Sequence, residues 1–318
     1  MSVDSGFDDL QTTVNVDPDD LREARRRRDL FKAALGEADD VVEVRPSGSL
    51  ARGTHKGPIH DVDILVMFRS SDHPDWGKPG PSALAALEHV RGLINDSLGT
   101  SGTGDVRHTL LRNHSVKCFL DDPDDPDAFT VDATPALDRA AGGIWIPEQY
   151  NSKWIASDPQ YLIDIVAARH AEWNQFARLV RVLKRWNSDH GNYMKSLTAE
   201  VLALTHLPVL DRPQAIASFF AAAQEAVWSP IEDPAGLCGE IQPDLDRKAA
   251  SDALSGAADL AARAIEAATR TEDSEAQCLW NKVFGDIYPK PADGCGSSAA
   301  PALISTTPKR RVVDSPQG

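Results

Sequence analysis

The chain has 318 residues, 42% hydrophobic and 25% charged, a balance that fills a globular core and excludes a mostly disordered, collagen-like or small disulfide-stapled protein. Against 33 basic side chains stand 48 acidic ones, and the formal charge of −15 repels long phosphate backbones while still admitting small anions escorted by a divalent metal. At roughly 100–200 residues per domain, the length predicts two domains.

The first stretch, 1–16, is acidic and weakly periodic and reads as a flexible arm. Its opening, MSVDSGFDDL, lacks the basic-then-apolar layout of a secretion signal. Asp17-Pro18 is an N-cap followed by proline at the first helical position, and Leu21, Leu30, Phe31 and Leu35 give the following helix one apolar side. Its Arg22 and Arg25 to Arg28 read as a solvated face paired with Asp19, Asp20 and Glu23. Residues 41–45 and 61–68 read as strands, separated by the turn Pro46-Ser47-Gly48-Ser49 and a second turn-rich stretch at 57–60. A loop rich in Pro, Gly and Asp covers 70–81, and a helix covers 82–97. Strands follow at 105–111, 114–120 and 129–132, the last two divided by a proline-broken acidic turn over 121–127.

From Asp158-Pro159 the pattern turns helical. Leu162, Val166, Trp173, Phe176, Val180 and Leu183 predict one long amphipathic helix, and Ala- and Leu-rich segments at 195–207, 212–228 and 246–270 predict three more. The expected organisation is a flexible arm over 1–16, a mixed αβ lobe with an N-terminal spine helix over 17–155, a helical lobe over 156–290 and a disordered tail over 291–318. The four cysteines, Cys118, Cys238, Cys278 and Cys295, form no CxxC pair, which argues against a zinc site and a disulfide framework. With no apolar run of the roughly 20 residues that span a bilayer, the reading is a cytoplasmic protein with reduced thiols and no membrane partner.

The chemistry concentrates in Gly48-Ser49, Arg52-Gly53-Thr54 and Asp61-Val62-Asp63. Residues i and i+2 of a strand share a face, so Asp61 and Asp63 project together. Keeping both ionised requires a positive charge between them, and a hard cation such as Mg²⁺ meets that need. Two-metal phosphoryl transfer needs a third carboxylate. Asp132, ending the strand Phe129-Thr130-Val131, is the first candidate, ahead of Asp127 and Asp138 in turn contexts. A glycine at 48 lets the backbone approach a triphosphate, and Ser49 offers a hydroxyl to phosphate oxygens.

GSLARGT, DVDILVMF and the later VDATP resemble the DNA polymerase β-like nucleotidyltransferase superfamily, and within it the CD-NTases, bacterial relatives of cyclic GMP-AMP synthase and oligoadenylate synthetase. LVRVLKRWN with MKSLTAE, GIWIPEQYNSKWIASDP and WNKVFGDIYP resemble that family's helical lobe, inter-lobe connection and closing segment. The resemblance implies an α+β fold: a polymerase β-like lobe of mixed sheet and helices, plus a helical lobe. It implies a cyclic di- or trinucleotide synthase acting in anti-phage signalling, with Mg²⁺ or Mn²⁺, two ions, held by Asp61, Asp63 and Asp132. Gly48 and Ser49 would hold the donor triphosphate, and Lys184 and Ser196 would contact phosphates. Arg52 stands where some relatives stack an aromatic ring on the base, and its guanidinium can stack too. His190 and Tyr193 lie before Ser196, within reach of a base in the same reading.

The implied partners are ATP or GTP, pyrimidine NTPs, and a downstream cyclic-nucleotide-sensing effector. A ubiquitin-ligase-like enzyme would act on the terminal Gly318. Three other readings compete: an RNA-tailing enzyme, opposed by the charge of −15; a small-molecule- or protein-modifying transferase, opposed by the helical-lobe motifs; and an inactive nucleotide-binding module, opposed by three retained acids.

Overall fold

A computed structural model describes residues 2–295, and these divide into two compact units. The sheet unit holds 16–165 and 233–239; the helical unit holds 2–15, 166–232 and 240–295. The expected boundary at 155/156 moves into a helix. The helical unit also draws on the chain's first residues.

In the sheet unit, α2 (Pro18–Gly36) leads into β1 (Val41–Ser47), a single turn of helix α3 (Gly48–Arg52), β2 (Asp61–Phe68) and α4 (Ser82–Ser97). Strands β3 (His108–Leu111), β4 (Val116–Phe119) and β5 (Thr130–Asp138) complete a sheet ordered β1-β2-β5-β4-β3. Only β2 and β5 run parallel in that order; the other pairs are antiparallel. The expected spine helix α2 is a sheet-unit element, packed on β1, β2 and α4. Its basic face is paired, Arg22 with Asp19, Arg26 and Arg27 with Glu23, and Arg27 also with Asp121 at 2.9 Å.

Strand periodicity decides which face each residue serves. Val62, Ile64, Val66 and Phe68 of β2, with Val131 and Ala133 of β5, face a core shared with Phe31, Leu87 and Ile94. On the opposite face Leu65, Met67 and Ala136 pack under Ile144 and Ile146, and there β2 begins with Asp61 and Asp63. The residues that cover this face belong to β6 (Ile144–Glu148), which pairs with β5 and with β7 (Lys153–Ser157). The segment expected to be an inter-lobe connection is therefore a β-hairpin. Prolines and a Tyr-Asn turn concealed it, but its Pro147 faces Trp154 within a regular antiparallel register.

In the chain that follows, α5 (Pro159–Glu172) contains the division between units, and α6 (Phe176–Asp189), α7 (Ser196–His206), α8 (Arg212–Ala226), α9 (Arg247–Thr269) and α10 (Asp273–Phe284) are helical-unit elements. The long helix expected from 159 breaks at Trp173–Gln175. A turn there, closed by Phe176 N–H donating to the Trp173 carbonyl at 2.9 Å, restarts the chain as a separate helix.

The flexible arm is also corrected. Residues Val3–Val14 form a helix, α1, with a Ser2–Ser5 capping box and a buried stripe of Phe7, Leu10 and Val14. Phe7 meets Trp280, Phe284 and Tyr288 edge-on, with ring centroids 5.0, 6.0 and 5.5 Å away. Tyr288 lies so close beneath Gly6 that a Cβ there would strike its ring and hydroxyl, and that hydroxyl donates to the Val3 carbonyl. Acidic residues had masked the i, i+3, i+7 spacing of the apolar positions.

The thiol reading changes too. Cys278 on α10 and Cys295 form a disulfide, Cα–Cα 5.6 Å, so the described chain runs five residues past the expected start of the tail. Cys118 and Cys238 are free thiols. No helix among the described residues is long and apolar enough to cross a membrane. The rest of the expected tail, Gly318 included, lies outside the described residues.

Phe7→Ala should lower the unfolding free energy of the helical unit by about 3–5 kcal/mol, the usual loss for a buried Phe. Urea denaturation of the full chain, followed by Trp fluorescence, measures it. A variant as stable as wild type would mean that α1 carries no structural weight.

Candidate active site

The register of two parallel strands assembles the acids. Asp61 lies beside Thr130, and Asp63 lies directly beside Asp132. Register partners on neighbouring strands share a face and lie about 5 Å apart, so all three carboxylates project from the same side of the sheet. The expected three-acid constellation is thus present within one unit. Asp138, six residues further along β5, is about 20 Å from Asp132 and sits near Arg45 instead. Asp127 is an exposed turn residue whose carbonyl faces His60 Nδ1 at 3.0 Å.

Gly48 accounts for the close fit of the turn onto the acids. The antiparallel register sets Ser47 opposite Asp63, and the chain then turns into α3 with Gly48 at φ +66°. A Cβ at Gly48 would land on the Asp63 carboxylate. Glycine is required twice here, for the left-handed backbone and for the clearance. Ser49 follows as the second residue of α3 and is half-buried.

The electrostatics show what such crowding costs. Burial, then the charges of Asp61 and Asp132, push the Asp63 carboxyl up to about 8, against the pull of Arg52 and Lys117. Without a cation, burial and the neighbouring charges favour the protonated form of Asp63. A buried carboxylate that strained, with a glycine cradle above it and two further acids beside it, fits a divalent cation with oxygen ligands.

Two partners in this arrangement escaped the sequence reading. Lys117 of β4 stands directly opposite Asp132, and Ser115 Oγ donates to Asp132 Oδ1 at 2.9 Å. A lone lysine in a short strand gives no signal on its own; only the β4–β5 register brings it to the acids. Arg52 is buried, and its charge helps hold Asp63 down, so in this structure it serves the carboxylates.

The helical unit carries the other expected residues. Lys184 is buried on α6 and its ammonium is ion-paired with Glu200 of α7. It is neither a solvated surface lysine nor a cation held in reserve. Ser196 is exposed at the first position of α7. His190 stacks on Trp186, centroids 5.3 Å apart, with its Nδ1 2.8 Å from the Trp186 carbonyl oxygen. Burial pushes its pKa down, as expected of a packed imidazole. Tyr193 is half-buried, and its carbonyl accepts from Gln242 Nε2 at 3.1 Å.

No protein-family model matches the chain. A probable cyclic nucleotide synthase of Bacillus cereus is 24% identical, over 92% of this chain and 99% of its own length. The structure of CdnC from Escherichia coli MS115-1 with ATP is similar at a TM-score of 0.68 and 19% identity, covering 91% of this chain and 99% of that one. The CD-NTase CdnG from Bradyrhizobium diazoefficiens, in complex with GTP, is similar at a TM-score of 0.66 and 14% identity, covering 89% and 95%. Over that coverage the chain shares its fold, a mixed sheet with helices plus a helical part, with these nucleotide-bound structures. The sequence match runs along nearly the whole relative and points the same way: the chain is similar to a probable cyclic nucleotide synthase and to CD-NTase structures.

Gly48→Ala should reduce nucleotide transfer to background, because the new methyl must displace either Asp63 or the turn. Steady-state assays with labelled NTP measure this, and near-normal turnover would show that the turn does not need to lie on the acids. Asp63→Asn should raise the melting temperature at pH 7 without metal by roughly 2–4 °C, the shift that about 1 kcal/mol makes in a domain of this size. The sign follows from the raised pKa: native Asp63 resists ionisation, so wild-type stability is lost as pH rises from the unfolded value toward about 8. The amide removes that penalty. Scanning calorimetry from pH 5 to 8 should show the gain of Asp63→Asn growing with pH, and a constant or reversed difference would contradict it.

Proposed function

We propose that this nucleotidyltransferase joins nucleoside triphosphates, without a template, into a cyclic di- or trinucleotide. The observation that carries the reading is the in-register set Asp61, Asp63 and Asp132, closed over by Gly48. The ATP and GTP bound by the structural relatives support triphosphates as substrates.

Gly48 and Ser49 cradle the donor triphosphate and hold its α-phosphate toward the acids. The 2′- or 3′-hydroxyl of the acceptor gives its proton to Asp132, and its oxygen forms a bond to the α-phosphorus. The bond from that phosphorus to the bridging oxygen breaks, and pyrophosphate leaves with the electron pair. Mg²⁺ or Mn²⁺, two ions held by Asp61, Asp63 and Asp132, would supply neutralisation of the phosphate charge and a more acidic attacking hydroxyl. Lys117 and Arg52 balance the acids from the protein side. Resemblance assigns further phosphate contacts to Lys184, which would have to exchange its Glu200 partner for phosphate, and to Ser196, whose exposed position at a helix start suits that role.

Repeating the transfer on the linear product and then on its own end closes the ring. The cyclic product acts on a nucleotide-sensing effector in cytoplasmic anti-phage defence, and a ubiquitin-ligase-like partner acts on Gly318. These last assignments rest on the family resemblance alone.

Asp61→Ala/Asp63→Ala should abolish product while the circular-dichroism spectrum stays that of wild type. Incubation with labelled NTPs and Mg²⁺, then phosphatase and mass spectrometry, should reveal phosphatase-resistant small products from wild type only. Undiminished synthesis by the double variant would overturn the site. Extension of added RNA in place of small products would overturn the cyclase reading.

A further inference from the structure

A second cluster with metal-ligand chemistry lies at the other end of β1 and β2. Asp40, in the turn from α2 into β1, points one carboxylate oxygen, Oδ2, at two imidazoles at once. His73 Nε2 lies 2.8 Å from it and His89 Nε2 lies 2.7 Å from it. His73 comes from the loop after β2, and His89 from α4. Three segments that are remote in sequence therefore bring one oxygen and two nitrogens within 4.8 Å of one another. All three residues belong to the sheet unit.

We propose that Asp40 Oδ2, His73 Nε2 and His89 Nε2 form a structural binding site for a zinc-class divalent cation, distinct from the catalytic carboxylates. Two imidazoles and one carboxylate suit zinc better than magnesium, which favours oxygen ligands throughout. Tetrahedral bonds of about 2.0–2.1 Å put ligand atoms about 3.3 Å apart. The two hydrogen-bonded separations must each open by about 0.5 Å, a change the His73 loop can absorb. Water would take the fourth position.

The surroundings restrict the imidazoles as a metal site requires. Trp76 stacks on His73 with centroids 3.7 Å apart, and Phe68 lies edge-on to the same ring at 5.4 Å. Side-chain exposure of Asp40 and His73 is 20% and 15%, and His89, at 36%, leaves an entry path. The site is also remote from catalysis: β2 runs five residues, about 17 Å, from Asp63 to Phe68, which pairs with Val41 next to Asp40. A cation there would pin the Pro- and Gly-rich loop over 69–81 to α4 and to the start of β1.

The test is zinc titration of the full chain, stripped with EDTA and dialysed, by calorimetry. Co²⁺ binding is followed in parallel by visible absorption, where tetrahedral coordination gives intense d–d bands. Asp61→Ala/Asp63→Ala should bind one tight equivalent and gain melting temperature with zinc, and wild type should bind at least that one. His89→Gln, chosen because its half-exposed ring leaves the fold least at risk, should lose at least about 100-fold in affinity, beyond the 10–100-fold that loss of an outer partner costs. His73→Gln should do the same. Zinc binding unchanged in His89→Gln, or absent from wild type, would overturn the proposal and leave a hydrogen-bonded carboxylate between two imidazoles.

Discussion

Mutual repulsion among three carboxylates is the constraint around which the sheet unit is arranged. Asp61, Asp63 and Asp132 can share a face only because β2 and β5 run parallel in a register that sets Asp63 beside Asp132. A slip by one residue would turn the acids into the core that Val62, Ile64 and Val131 occupy. The apolar alternation therefore does two tasks. It buries one face of β2 under α2 and α4, and it locks the acids on the other. Arg52 and Lys117 soften the repulsion without neutralising it, which leaves the group ready to take up positive charge.

What the sequence made legible follows the range over which its signals act. DVDILVMF is a strand from Asp61 to Phe68 as read, because alternation and its acidic start are local facts. The helices at 18–36 and 82–97 were equally plain from capping and periodicity. The short strands β6 and β7 were hidden by Pro147 and by aromatic residues that also suit a linker, and they declare themselves only by pairing. α1 was hidden because its acidic surface outweighed three apolar residues, and the ring partners of Phe7 (Trp280, Phe284 and Tyr288) come some 270 residues later.

The site divides in the same way. Asp61, Asp63 and Gly48 could be read from spacing, and Asp132 from a strand end. Lys117 and Ser115 could not, since their relevance lies wholly in the β4–β5 register. Nor could Glu200, which lies on a different helix from Lys184 and takes its charge. Asp40, His73 and His89 follow no metal-ligand spacing in sequence, and only tertiary packing makes them a group.

The composition of the helical unit, with residues 2–15 joined to 166–295, bears on the order in which the chain can fold as it is made. Residues 16–165 leave the ribosome as one uninterrupted block that holds strands β1 to β7 and all three acids. α1 emerges before that block, while the helices it packs on, α6, α8 and α10, all come after it. At roughly 5–20 residues per second, Phe7 waits about 15–55 s for Trp280, Phe284 and Tyr288. A nascent chain halted between the end of that block and the synthesis of α10 holds all three acids while Phe7 still lacks its ring partners, a combination that a chaperone has reason to hold.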